Sequence, residues 1–356
     1  MTRTPASSFY GRRVRHLAPG LAAVVAIAIA SMSPSALAAG PPGVARGRAA
    51  AGWLARQLAG RSHLVSSFGG KTYPNQGETI DAVLAFAAAG TADGYAARAM
   101  AWLARPKVLA GYVGNGTSSS YAGATAKLAL AAEVRGLNPA RFGGVNLIAR
   151  LGALLTPSGR YSDHSSYGDF SNAFSQSLAI LALHRRGGVP PRAVAFLAAS
   201  ECGNGGFPLD FGTRTCASDT DATALDVQAL LAAGRRGPAE RGLRWLAAQQ
   251  APDGGLTGAG GGAAPNANTT GLAGEAFGAA AWRHRAALAR GFLIRLQAGC
   301  AAPAARRGAI SYHLGHFSLA TAADATAQGV LGLAGTGLAR LTSRDSTDGD
   351  PRMVCS

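Results

Sequence analysis

Negative charge is scarce in this chain, and so is lysine. Of 356 residues, 18 are Asp or Glu against 34 Lys or Arg, a formal charge of +16 at pH 7. Only Lys71, Lys107 and Lys127 are lysines, which leaves 34 − 3 = 31 arginines. These are scattered along the chain. A reader of phosphates gathers its charge on one face or in one run, so no nucleic-acid partner is expected. No segment alternates as a strand does, and no βαβ unit occurs. The four cysteines include no CxxC pair and lie far from histidines at ligand spacing, which excludes a structural zinc site. Beyond the N-terminal region no apolar run is long enough to span a bilayer, so no stable membrane insertion is expected. The chain is not short of apolar side chains: 48% of it is hydrophobic, enough to fill a sizeable core, and wholesale disorder is excluded.

The N-terminus points to export. Arg3, Arg12, Arg13 and Arg15 precede an apolar run, Leu17 to Ala30, and then Ala36-Leu37-Ala38. A basic region, a short apolar region and a small-x-small site describe a signal peptide over residues 1–38. Arg12-Arg13 suggests twin-arginine export, although Arg15 stands where that signal takes an apolar residue. The mature chain is expected to be secreted and extracellular, and its arginines to attract anionic cell-envelope polymers. An even cysteine count in an exported chain implies two disulfides, for which three pairings exist. Cys202 with Cys216 brackets a short Gly-rich loop and is the natural first pair. Cys300 with Cys355 would then staple a polar tail, 341–356, onto a domain spanning 39–340.

The chain repeats itself. Aromatic-Leu pairs recur at Trp53-Leu54, Trp102-Leu103, Phe196-Leu197, Trp245-Leu246 and Phe292-Leu293, with Leu154-Leu155 filling the gap. Each closes an amphipathic stretch of helical period and is followed by a Gly-containing turn, such as Gly69-Gly70 or Gly111-Tyr112. A second helix, richer in Ala, Leu and Phe, then starts near Asn75, Ser118, Asp169, Ser218, Asn266 or Ser318. A helix apolar nearly all round is buried. Six helix pairs therefore build either an open solenoid or a closed ring with the apolar set inside. Neither terminal pair has the polar outer face of a capping repeat, which favours the ring, an all-α (α/α)6 toroid.

The segment Arg241-Gly-Leu-Arg-Trp245-Leu246-Ala-Ala-Gln249-Gln250-Ala-Pro-Asp-Gly254-Gly255-Leu256 resembles the QW repeat of squalene cyclases, with Leu256 where the repeat has Trp. Asp219-Thr220-Asp221-Ala222-Thr223-Ala224 is similar to the DxDDTA of class II terpene cyclases, with Ala222 in place of the third Asp. Over about residues 45–335 the chain resembles the terpenoid cyclase and protein prenyltransferase superfamily. In its cyclases the resemblance makes Asp221 the proton donor, with Asp219 beside it. The acidity needed to protonate an alkene depends on the whole triplet, and the carbocations need aromatic walls that a chain 7% aromatic lacks. Prenyltransferases imply an Asp, Cys and His zinc set, which is absent here. The superfamily also holds secreted cobalamin carriers, the transcobalamin type, and the chain looks most like these. Asp219 and Asp221 are equally explained as helix N-terminal residues.

Laid over one another, the inner helices place polar residues at Asp81, Lys127, Gln176, Asp226 and Glu275, at steps of 46, 49, 50 and 49, with Asp324 or Gln328 in the sixth. Buried charge is costly unless paired or wet, so these residues are expected to face a common lumen holding water or a ligand. Tyr112, Tyr121, Tyr161, Tyr167, Phe170, Phe207, Phe211 and Tyr312 are expected in the loops, where they could rim its mouth or simply pack. The expected function is non-catalytic binding of a small-molecule or lipid ligand: a corrinoid, an isoprenoid lipid or a cell-wall fragment. No cofactor and no metal is required, although a corrinoid would serve as bound ligand. The alternatives are a terpene cyclase-like isomerase, and a secreted polysaccharide hydrolase or lyase on the same barrel, which needs paired carboxylates and sugar-stacking Trp. Gly260-Gly261-Gly262 lacks the flanking strand and Lys-Ser of a phosphate loop.

Overall fold

Thirteen α-helices occupy residues 42–258 and 264–355, which a computed structural model describes; the expected signal peptide and Gly260 to Gly262 lie outside these residues. Six form an inner ring: α2 (Gln76–Ala89), α5 (Ala122–Val134), α7 (Ala173–Arg185), α9 (Thr220–Ala232), α11 (Ala267–Ala279) and α13 (Leu319–Ala334). Each packs on the next, and α13 packs back on α2, so the ring is closed. Outside it lie α1 (Pro42–Gln57), α3 (Asp93–Leu103), α6 (Leu147–Ala153), α8 (Pro191–Ala199), α10 (Arg236–Gln249) and α12 (Arg283–Leu296), with one further short helix, α4 (Pro106–Val113). The expected Gly111-Tyr112 turn is part of α4, because Pro106 at the first helical position starts a new helix there.

Four of the six inner helices start at a side chain that caps them. Asn75, Asn172, Asp219 and Asn266 each accept a hydrogen bond from a backbone N–H of their own first turn. Four residues into the helix comes a second repeated contact. The hydroxyls of Thr79, Thr223 and Thr270 accept from the backbone N–H of Leu64, Phe207 and Leu256, and the Gln176 amide oxygen accepts from Tyr161 in the same way. In α13 Thr326, eight residues past Ser318, does this for Ile310. In five of the six inner helices the preceding turn is thereby sewn onto the helix; in α5 the Thr125 hydroxyl only donates to the Tyr121 carbonyl, as the Thr79 hydroxyl does to that of Asn75. The turn before α2 is a β-hairpin, β1 (Leu64–Phe68) with β2 (Lys71–Asn75), which the sequence pattern did not anticipate. Gly69 and Gly70 both have positive φ, as a two-residue turn between right-twisted strands requires.

Glutamines brace neighbouring repeats. Gln250, the QW-like residue, donates to the carbonyls of Gly254 and Arg285, and Gln297 donates to those of Gly308 and Arg46. The second brace ties the last outer helix to the first. Trp53 adds a bond from its indole N–H to the Ala305 carbonyl at 2.9 Å, and Trp102 stacks on His63. Both tryptophans are packing residues.

The C-terminal segment crosses the lower end of the ring, where the inner helices finish. Leu338 N–H donates to the Gln228 amide oxygen of α9, Arg185 of α7 donates to the carbonyls of Leu338 and Ala339, Ser343 bonds Val134 of α5, and Thr347 bonds Gly90 at the end of α2. Asp350 then pairs with Arg56 of α1 at 3.2 Å. Both disulfides are formed, Cys202 with Cys216 and Cys300 with Cys355, each with Cα atoms 5.5 Å apart. No helix among the described residues is long and apolar enough to cross a membrane.

Candidate functional site

A cavity of about 300 Å³ lies inside the ring, walled by Leu84, Leu178, Leu225, Leu272 and Leu331, with Leu338 of the C-terminal segment as its floor. Polar groups interrupt the leucines at Asp81, Lys127, Glu275 and Gln328; Tyr112 and Phe174 are its aromatic lining. These polar side chains are inward-facing residues of otherwise apolar helices.

Asp81 and Lys127 form an ion pair at 2.7 Å. Burial alone would lower the Lys127 pKa, but Asp81, with Tyr112 and Asp324 adding to it, outweighs that and the net shift is upward. Glu275 is fully buried and neither carboxyl oxygen has a hydrogen-bond partner. Burial, reinforced by the Asp81 charge and partly offset by the Gln228 amide, pushes its pKa up to about 8, so it is protonated at neutral pH. Towards the upper end of the ring the acid continues. Glu78 and Asp324 are raised by burial and by repulsion, Glu78 from Asp324 and Asp81, and Asp324 from Asp81. The Asn268 amide donates to Asp324.

Asp221 lies at that upper end, in the first turn of α9. Burial, with Thr269 opposing and Asp219 assisting, pushes its pKa up to about 6, and one of its oxygens is buried without a partner. Tyr312 is close enough to Asp221 and Asp324 for both to raise its pKa, after burial. Asp219 is the cap of α9, accepting from Ala222 N–H at 2.8 Å.

Four expected lumen or rim residues are elsewhere. Gln176 is wholly occupied by the Tyr161 N–H and the carbonyls of Gly159 and Ala193, on the outer side of α7. Asp226 is buried against the Ser177 hydroxyl of α7, not in the cavity, and burial keeps its pKa well above the usual carboxylate range. Tyr161 and Phe207 are core residues with 1% and 0% exposure, whereas Tyr167 and Phe170 are 80% and 71% exposed. The common pitch was misleading because the loops differ in length. The repeated hydroxyl and amide contacts put the true equivalences at Thr79, Thr125, Gln176, Thr223, Thr270 and Thr326, so Asp81 and Lys127 align, while Asp226 is one residue and Glu275 three residues further along. Tyr112, expected in a loop, lines the cavity from α4, and Gln228 reaches the floor through its bond to Leu338 without any repeat signal in the sequence.

No group of three or more His, Cys, Asp or Glu among the described residues is arranged to hold a metal ion. No family model matches the sequence, and neither does any curated protein. Solved structures do match. The chain is similar to the type II terpene cyclase MstE from Scytonema, with a TM-score of 0.61 and 14% identity over 82% of this chain and 97% of that one. An alpha-amylase from Clostridium perfringens matches with 0.62 and 10% over 83% and 98%, and a protein from Actinoplanes with 0.59 and 17% over 82% and 99%. Identities this low carry the architecture alone: the chain is an all-α toroid, the fold it shares with MstE and the amylase.

Proposed function

We propose that this is an exported binding protein whose lumen takes one small amphiphile. The observation that supports it most is the cavity itself, leucine along its walls and an ion pair, a carboxyl and an amide set among them. Such a mixture suits a ligand with an aliphatic body and a polar group. At about 300 Å³ the cavity is at the lower end of ligand pockets, about 300–1,000 Å³, and too small to enclose a corrinoid, which would have to lie across the mouth. Export is supported by the N-terminal pattern and the two disulfides. Outside the ring, the excess of arginine suits contact with anionic envelope polymers.

Native mass spectrometry of protein purified from its own culture medium tests the binding role. A bound aliphatic molecule of defined mass is expected, and Leu178→Trp, which fills the lumen, should eject it. Protein that is empty and stays empty with added amphiphiles would overturn the proposal.

One observation favours a second reading. Asp221 is a buried acid with a pKa of about 6 and an unpaired oxygen at the upper end of the ring, and it stands at the position to which the resemblance to the DxDDTA motif gives the proton donor. MstE acts on geranylgeranyl dihydroxybenzoate. Against cyclisation stand Ala222 in place of the third Asp and a lumen with only Tyr112 and Phe174 as aromatic walls, too few to stabilise a travelling carbocation. A cyclised product from geranylgeranyl dihydroxybenzoate that Asp221→Asn fails to make would establish the second reading.

A further inference from the structure

The protein is strongly basic, yet its lumen is acidic. Its lining holds Asp81 and Glu275 with a single cation, Lys127, already paired with Asp81, while Glu78 and Asp324, outside the lining, are near enough to Asp81 for its charge to raise their pKa values. Resting on the lumen as the binding site, we infer that its ligand is an aliphatic ammonium ion, held by Glu275 with its alkyl chain along the leucine wall.

Glu275 carries the inference. It is fully buried in the wall of the cavity, and neither oxygen has a partner within hydrogen-bond distance, the unpaired Gln228 amide being near enough only to lower its pKa, so a donor that reached the carboxyl from the lumen would find both oxygens uncommitted. A buried carboxyl without partners is costly, and a ligand that donates to it removes that cost. Facing it are the Asp81–Lys127 pair from α2 and α5, Gln228 from α9 and Gln328 from α13, and none of these supplies an uncommitted positive charge. Position in the helix matters as well. Glu275 is on the third turn of α11, nearer the carbonyl ends that the C-terminal segment crosses, where the helix dipoles add negative potential. The leucines around it exclude the hydration that a free metal ion would keep, and the carboxyls are too dispersed for metal coordination.

Binding an ammonium should ionise Glu275, so each ligand bound at neutral pH displaces a proton from it. The test compares octylammonium, octanol and octanoate by titration calorimetry at pH 7, in two buffers of different ionisation enthalpy. Octylammonium is expected to bind at least tenfold more tightly than octanol, with close to one proton released per ligand. Glu275→Gln should bring octylammonium down to the level of octanol and abolish the proton release, in a protein whose unfolding remains cooperative. Octanol or octanoate binding as tightly as octylammonium, or proton release that survives in Glu275→Gln, would overturn the ammonium assignment while leaving the lumen as a binding site. If none of the three binds, both the assignment and the binding role fall.

Discussion

Buried carboxyls make this protein's stability depend on pH in an unusual direction. Glu275 titrates near 8 in the folded state against an ordinary 4.5, and Asp221 near 6 against 3.8. A carboxyl raised in this way takes up a proton on folding wherever the unfolded form is ionised, so stability falls as pH rises between the two values. Its contribution is complete below the ordinary pKa and is lost as pH rises through the folded-state value, with a slope of up to about 1.4 kcal/mol per pH unit for each titrating group. Urea unfolding at pH 5, 6, 7 and 8 should therefore show falling stability across the series. Asp221→Asn should flatten the part between pH 4 and 6, and Glu275→Gln the part up to pH 8, each raising stability at pH 8. Stability that rises from pH 5 to 8, or variants that leave both segments unchanged, would contradict the burial assigned to these groups. Asp226, also raised and bonded only by Ser177, adds to the same trend.

At the scale of elements, the helices and their starts were legible because the chemistry that sets them is local. Asn75 and Asn266 cap their helices where the polar clusters were read, and the Ala- and Leu-rich helices are the inner ring. Register was not legible. Asp81, Lys127, Gln176, Asp226 and Glu275 share a pitch of near 49 residues, yet loops of unequal length turn Gln176 outward and Asp226 toward α7. The floor was hidden too, since nothing in the sequence of Leu338 distinguishes it from an ordinary helix-end leucine. Glycines at the α11–α13 seam show a further constraint. A Cβ on Gly332 would lie 2.7 Å from the Gly271 Cα and 2.7 Å from Leu293 Cδ1, so the two helices approach more closely than any side chain permits. Gly332→Ala should cost about 1–3 kcal/mol by forcing them apart. In α12, by contrast, nothing lies within 4 Å of a Cβ on Gly291. There Gly291→Ala should stabilise the helix by roughly 0.5–1 kcal/mol. Thermal melts of the two variants should move in opposite directions, and a Gly332→Ala protein as stable as the parent would mean that the seam has slack.

For the whole molecule, closure of the ring and closure of the lumen are separate tasks carried by separate parts. The ring is closed by α13 against α1 and α2 and by the Gln297 bridge to Arg46. The lumen is closed below by the segment that runs from Leu338 past α9, α7, α5 and α2 to Asp350, and Cys300–Cys355 holds the far end of that segment. Removing this disulfide as Cys300→Ser/Cys355→Ser opens a covalent loop of 55 residues, against 14 for Cys202–Cys216. Loop-closure entropy alone makes the first about 4 kcal/mol and the second about 3 kcal/mol. The functional consequences should differ more than the energies do. Freed at Cys355, the segment keeps its bonds to Gln228, Arg185, Val134 and Gly90, so the floor should survive and binding of an aliphatic ligand should fall less than about threefold. Truncation after Leu341 removes the anchors at Ser343, Thr347 and Asp350 as well. That variant should retain the helical circular dichroism of the closed ring but exchange the amides of residues 336–341 faster and bind the ligand at least tenfold more weakly. Equal binding by the truncated and full-length chains would show that Leu338 is not needed as a floor, and that the ring alone shapes the site.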